Sequence, residues 1–185
     1  FVAADLLSQA EHGPDSQVLL ITPSTLLLEQ VQAQVEKLLA LLPRREIAAQ
    51  SLRSSRLFLV ADLEEAMALC NAYAPEHLIL AVAEPERWAE QVVNAGSVFL
   101  GHFSPESAGD YASGPNHTLP TNGRARAYSG VSLDSFVKKI TFQAISARGL
   151  QGLAPAVSAM AHAEGLEAHR QAVEIRLLAA EEASR

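Results

Sequence analysis

Six histidines accompany a single cysteine in this chain, so a bound metal would have to be held by nitrogen and oxygen and not by a thiolate cluster. Gln9 and His12, in LLSQAEHGPD, stand three apart just before Gly13 and Pro14, which places them on one face at the end of a predicted helix. That face can offer an imidazole and an amide oxygen to a cation. A polar helix face with a histidine at the negative end of the dipole accounts for the same pair, and for the pair alone it is the simpler reading. Asp110 lies in a glycine-flanked loop, where a carboxylate either caps the local backbone or meets a cation, and capping is the simpler reading without further context. His162 and His169 are seven apart and share a face only on an unbroken helix; Gly165 lies between them, so solvated imidazoles are the default.

Glu76 and His77, in APEHL, are a sharper pair, an acid and a base set between a proline turn and the start of an apolar strand. Adjacent residues of a strand face opposite ways, so the two can flank a pocket at the sheet edge. Histidine moves protons near neutral pH, and a half-buried glutamate can be raised far enough to take one from water. A solvated turn fits the same spacing.

The elements that must hold these residues follow from the apolar pattern. Short continuous apolar runs at 18–22 (VLLIT), 56–60 (RLFLV), 77–82 (HLILAV) and 97–101 (SVFLG) read as strands. Between them, Ser24 caps a helical pattern carried by Leu26, Leu27, Val31, Val35, Leu38 and Leu39, and Asp62 caps another reaching about Asn71. Pro85 opens a third helix that Gly96 is expected to end. Strands without alternation, separated by helices, predict an α/β fold: an open, largely parallel, Rossmann-like but incomplete sheet with helices on both faces. Residues 102–129 form a Gly, Ser, Pro and Asn stretch too long for an idle connection. It carries His102, Glu106, Asp110, Tyr111, Asn116 and His117, and it leaves a strand's carboxyl end, where α/β sheets bind ligands. Beyond it, 132–139 reads as a short helix, 140–145 as an edge strand, and 150–183 as two helices broken near Gly165. The expected division is a sheet domain over 1–131 and a mainly helical C-terminal appendage over 132–185, facing the sheet or a partner chain.

Composition narrows the partners. The 185 residues are 49% hydrophobic and 19% charged, which is globular, and the net charge of −7 without a basic cluster predicts no nucleic-acid partner. No apolar run nears the roughly 20 residues of a membrane span. A lone Cys70 and the lack of a secretory leader predict a cytoplasmic protein. The start at Phe1, inside an amphipathic helical pattern, predicts a fragment or a processed chain. GxGxxG after the first strand, GxxxxGK[ST] and GxSxG are all missing, so no classical dinucleotide site is expected here.

Four stretches, in order, resemble the histidinol dehydrogenase family: QAEHGPDSQ (9–17), NAYAPEHL (71–78), GSVFLGHFSPESAGDYASGPNHTLPT (96–121) and AEGLEAHRQAVEIRL (163–177). The likeness runs essentially the whole chain. It implies a zinc-dependent enzyme that oxidises L-histidinol to L-histidine through the aldehyde and reduces two NAD⁺. It implies zinc ligands at Gln9, His12, Asp110 and His169, the last supplied by the partner subunit of a homodimer. It also implies a catalytic pair at Glu76 and His77 and substrate contacts from Gln9, His12, His77, Asp110, Glu164 and His169. Two imidazoles, a carboxylate and an amide suit Zn²⁺ or another borderline divalent ion and leave room for substrate nitrogens. His117 ranks lower, as a residue lining the substrate pocket, while His102 and His162 are expected to be structural or solvated.

Members of that family are longer, and the part before Phe1 is expected to carry the NAD-binding segment and a serine that touches substrate. Its loss would leave a sheet edge exposed between residues 18 and 101. Ala144, in FQAIS, stands where the family commonly has glutamate, and no functional account of it follows. The alternative reading is a non-catalytic metal- or ligand-binding module of the same fold; a further one is an α/β interaction domain with incidental histidines.

Overall fold

The computed structural model of the chain describes residues 1–182. It separates into two compact units, Phe1–Val137 and Lys138–Arg185.

The first unit opens with α1 (Val2–Ala10), which buries Ala3, Leu7 and Ala10 along one face at helical spacing. Then come β1 (Leu19–Thr22), α2 (Thr25–Leu39), α3 (Arg45–Ser54) and β2 (Arg56–Leu59). Ser24 caps α2 as expected, its hydroxyl accepting the Leu27 N–H at 3.2 Å. Helix α3 has no counterpart among the elements expected from the sequence. It buries only Ala48 and Ser51, so it carries too few large apolar residues to show a helical period.

Next are α4 (Leu63–Tyr73), β3 (His77–Leu80), α5 (Pro85–Ala89) and β4 (Ser97–Leu100). The Asp62 carboxylate accepts the Glu65 N–H at 2.8 Å and so begins α4. Ala74 ends it in the left-handed region, φ 58°, and Pro75 then directs the chain into Glu76 and β3. Helix α5 stops at Ala89, well short of Gly96. Gly96 serves a different purpose. A Cβ there would lie 2.5 Å from the Glu76 carbonyl oxygen, so glycine is what lets β4 start against β3.

The strands are parallel, as expected, but they form two two-stranded sheets, β1–β2 and β3–β4, and no continuous sheet among the described residues. All four positions of β2 are exposed. One core lies around Leu7, Ala10, Val18 and Ala48, a second around Ala3, Leu20 and Val31, and a third around Met67, Leu78, Leu80 and Trp88. Within the stretch expected to be irregular, Glu106–Tyr111 forms a helix, α6, and Arg124–Arg126 a single 3-10 turn. The short helix expected at 132–139 is a 3-10 helix, Leu133–Phe136, closed by a capping box between Ser132 and Ser135.

In the second unit, 140–145 is irregular and not an edge strand; Ile140, Phe142 and Ile145 are exposed and, among the described residues, pair with no neighbouring strand. Two helices follow, α7 (Ala147–Ala163) and α8 (Glu167–Glu182), packed on one another. The break falls at Gly165 as expected. Its φ of 71° and the bonds Leu166 N–H to Ala161 O at 2.8 Å and Gly165 N–H to His162 O at 3.0 Å make a Schellman ending. The expected end of the last helix near Ala183 lies outside the described residues. Among the described residues, no helix is long and apolar enough to cross a membrane.

Candidate active site

The site is assembled from three pieces of the first unit: the end of α1, the start of β3, and α6. Helix α1 carries Gln9 in its last turn, and His12 follows just beyond the cap, where its N–H reaches the Gln9 carbonyl at 3.3 Å. Helix α6 brings Glu106 and Asp110, four apart and hence on one face. Donor atoms of His12, Glu106 and Asp110 all lie within 4.8 Å of one another. His77, first residue of β3, turns its Nε2 to 3.7 Å from Asp110 Oδ1. The expected location beyond the strands' carboxyl ends therefore needs correcting. The chain doubles back after β4, and α6 meets the amino end of β3.

Glu106 is the member that sequence reasoning did not assign. Among the described residues it is the one charged side chain in the buried class, 2% exposed. Ser8, on α1, donates to its Oε2 at 3.0 Å, while Oε1 is 3.9 Å from His12 Nε2. The signal was the four-residue spacing from Asp110, which has meaning only once α6 is known to be helical.

Three polar atoms at the site are buried without a hydrogen-bond partner among the described residues: Gln9 Oε1, His77 Nε2 and Glu106 Oε1. Buried polar atoms left without partners are costly unless something further satisfies them. A cation accepts lone pairs from all of these atom types, so the residues present fit a divalent metal. Burial pushes the Glu106 carboxyl above the usual range; the neighbouring Asp110 carboxyl acts in the same direction, and Ser8 and His12 oppose it. Glu76 is also raised, first by burial, with His77 opposing. Burial lowers His77, against the pull of Glu76 and Asp110, and so favours the neutral imidazole.

The remaining expected residues sit on other elements. Glu164 caps the end of α7 and His169 lies in the first turn of α8; both belong to the second unit, where both are exposed. His117 is exposed, next to an Asx turn in which Asn116 Oδ1 accepts the Thr118 N–H at 2.6 Å. His102 is exposed, and His162 Nδ1 is 2.9 Å from Glu167 Oε1 within the helical pair.

Comparison with known proteins bears directly on this arrangement. A family model described as histidinol dehydrogenase matches residues 1–177. The chain is 63% identical over 177 residues to a histidinol dehydrogenase of Bacteroides thetaiotaomicron, covering 96% of this chain and 41% of that protein. It is 54% identical over 179 residues to one of Yersinia pestis, covering 97% and 40% respectively. The crystal structure of histidinol dehydrogenase from Elizabethkingia anophelis superposes with a TM-score of 0.91 at 57% identity, over 97% of this chain and 42% of that one. The chain thus spans about two-fifths of the length of the curated relatives it matches. With a family match from residue 1 to 177 and close relatives sharing both sequence and fold, this chain belongs to the histidinol dehydrogenase family.

Proposed function

We propose that this chain is the metal- and substrate-binding part of a zinc-dependent histidinol dehydrogenase, which converts L-histidinol to L-histidine through L-histidinal. The observation that carries the proposal is His77 Nε2, buried, unpartnered and 3.7 Å from Asp110, beside the cluster of His12, Glu106 and Asp110. Gln9, His12 and Asp110 would hold zinc together with His169 from the partner subunit of a homodimer. Bound there, zinc supplies a Lewis-acidic anchor for the substrate's imidazole and amino nitrogens. NAD⁺, the hydride acceptor, is assigned to the part of the relatives' length that this chain does not span. The working compartment is assigned to the cytoplasm, in keeping with the free Cys70.

The chain's own groups divide the proton work. Neutral His77 takes the alcohol proton at Nε2 as hydride departs, leaving the aldehyde. Glu76, half-buried and raised, accepts a proton from water, whose oxygen attacks the aldehyde carbon while His77 returns its proton to the carbonyl oxygen, giving the diol. His77, having released its first proton, takes one from the diol as the second hydride leaves, and the carboxylic acid results. Glu164 is assigned to hold the substrate.

The test is NADH formation from L-histidinol by the complete gene product. His77→Asn should lower kcat by about 10² to 10⁴, the usual contribution of a general base, with zinc content unchanged. Unaltered turnover would remove His77 from the mechanism. Zinc and histidinol binding without any NADH formation would favour the non-catalytic alternative.

A further inference from the structure

Among the described residues the His77 ring has no hydrogen bond at Nε2 to aim it, so its direction depends on what packs against it. In the β3–β4 register His77 pairs with Ser97 and Ile79 with Phe99, which sets His77 and Phe99 on the same face of the pair. Their ring centroids are 5.9 Å apart, with the planes inclined at 41°. The edge of the same Phe99 ring lies against Gly109. A Cβ at that position would be 2.6 Å from Phe99 Cε1 and 2.7 Å from Cζ.

Gly109 precedes Asp110 on α6, and Asp110 Oδ1 is 3.7 Å from His77 Nε2. The three contacts close a circuit from His77 to Phe99, from Phe99 to the α6 backbone, and from α6 through Asp110 back to His77. Phe99 and Gly109 are both buried. A side chain at 109 can be accommodated only by turning the Phe99 ring or lifting α6, and either changes how His77 faces Asp110.

We propose that Phe99 and Gly109 are positioning residues for His77: the bare backbone at 109 seats the Phe99 ring, and that ring sets the direction of the imidazole. The proposal deepens the reading of His77 as the proton acceptor and rests on it. Neither residue is among those assigned to hold zinc or substrate, so the expected defect is in kcat and not in binding.

In the zinc-loaded complete gene product, Gly109→Ala should lower kcat by about tenfold to 10²-fold, the scale of a sub-ångström to 1 Å misplacement. KM for L-histidinol and zinc content should stay at wild-type values. Phe99→Leu should lower kcat by itself, and the double variant should lose less than the product of the two single effects, by more than the roughly twofold scatter of independent sites. Wild-type kcat in Gly109→Ala, independent multiplication of the two effects, or loss of zinc in step with kcat would each overturn the proposal. A second measurement does not depend on turnover. The His77 ring resonances of the 185-residue chain, assigned by their loss in His77→Asn, should shift in both Phe99→Leu and Gly109→Ala. Unmoved resonances would overturn the proposal even if NADH forms. If the wild type forms none, the functional reading fails while the spectra still decide the packing.

Discussion

Gly96→Ala is the substitution for which the structure works out the consequence most fully. Gly96 begins the β3–β4 pairing, its N–H donating to Pro75 O at 2.9 Å, and the next N–H, of Ser97, donates to Glu76 O at 2.9 Å. An added Cβ meets that same carbonyl at 2.5 Å and Pro120 Cδ at 3.2 Å. Real Cβ contacts essentially never fall below 3.0 Å, so the Glu76 peptide must move by at least the difference, 0.5 Å. Both sides of the contact are hydrogen-bonded backbone, which has no rotamer to escape into. Overpacking of this kind costs about 1–3 kcal/mol. At 2–4 °C per kcal/mol for a chain of this size, the melting temperature should fall by about 2–12 °C. The shifted peptide carries Glu76 and leads into His77, so kcat of the complete gene product should fall by roughly tenfold as well. Gln9 and Asp110 come from α1 and α6 and His12 from the turn after α1, so zinc stoichiometry should hold. A melting temperature within about 1 °C of wild type would refute the reasoning, because it would mean that β3 and β4 do not approach as closely as the register requires.

Other outcomes follow from the same geometry. Gly152→Ala, in the interior of α7 with nothing within 4 Å of the new Cβ, should stabilise by about 0.8–1.0 kcal/mol, read as a higher midpoint in urea. His12→Ala should weaken zinc binding to this chain by at least roughly 10- to 100-fold in a chelator competition, the loss usual for a merely supporting residue. Glu76 gives a pH dependence whose sign is fixed by burial. Its folded-state pKa is raised, so its contribution is fully present below the ordinary carboxylate range and is lost as pH rises through the folded value. The melting temperature of Glu76→Gln minus that of wild type should therefore increase from pH 4 to pH 7; a flat or falling difference would contradict the burial of Glu76.

Much of the local structure was legible because its causes are local. Ser24 and Asp62 cap helices within three residues of themselves, the break at Gly165 needs only a backbone free to take positive φ, and apolar runs mark all four strands. The site residues His12, His77 and Asp110 were visible as types and motifs, and the structure gathers them in the first unit. What failed had distant causes. The end of α5 is set by how the chain returns to β4, and the apolar run at 140–145 carried β-like composition without a partner strand to pair with.

The sequence alone therefore determined the parallel α/β character, the family and the chemical identity of the candidate ligands, since each is written in contiguous residues. Tertiary structure decided that four strands make two separate pairs, that residues 106–111 are helical, and that Glu106 is buried against a serine 98 positions away. It also decided that a single missing Cβ at 96 and another at 109 set the spacing around Glu76 and His77. The physical reason is that hydrogen-bond caps and backbone propensities act over three or four residues. Burial, orphaned lone pairs and steric contact exist only after distant segments have met.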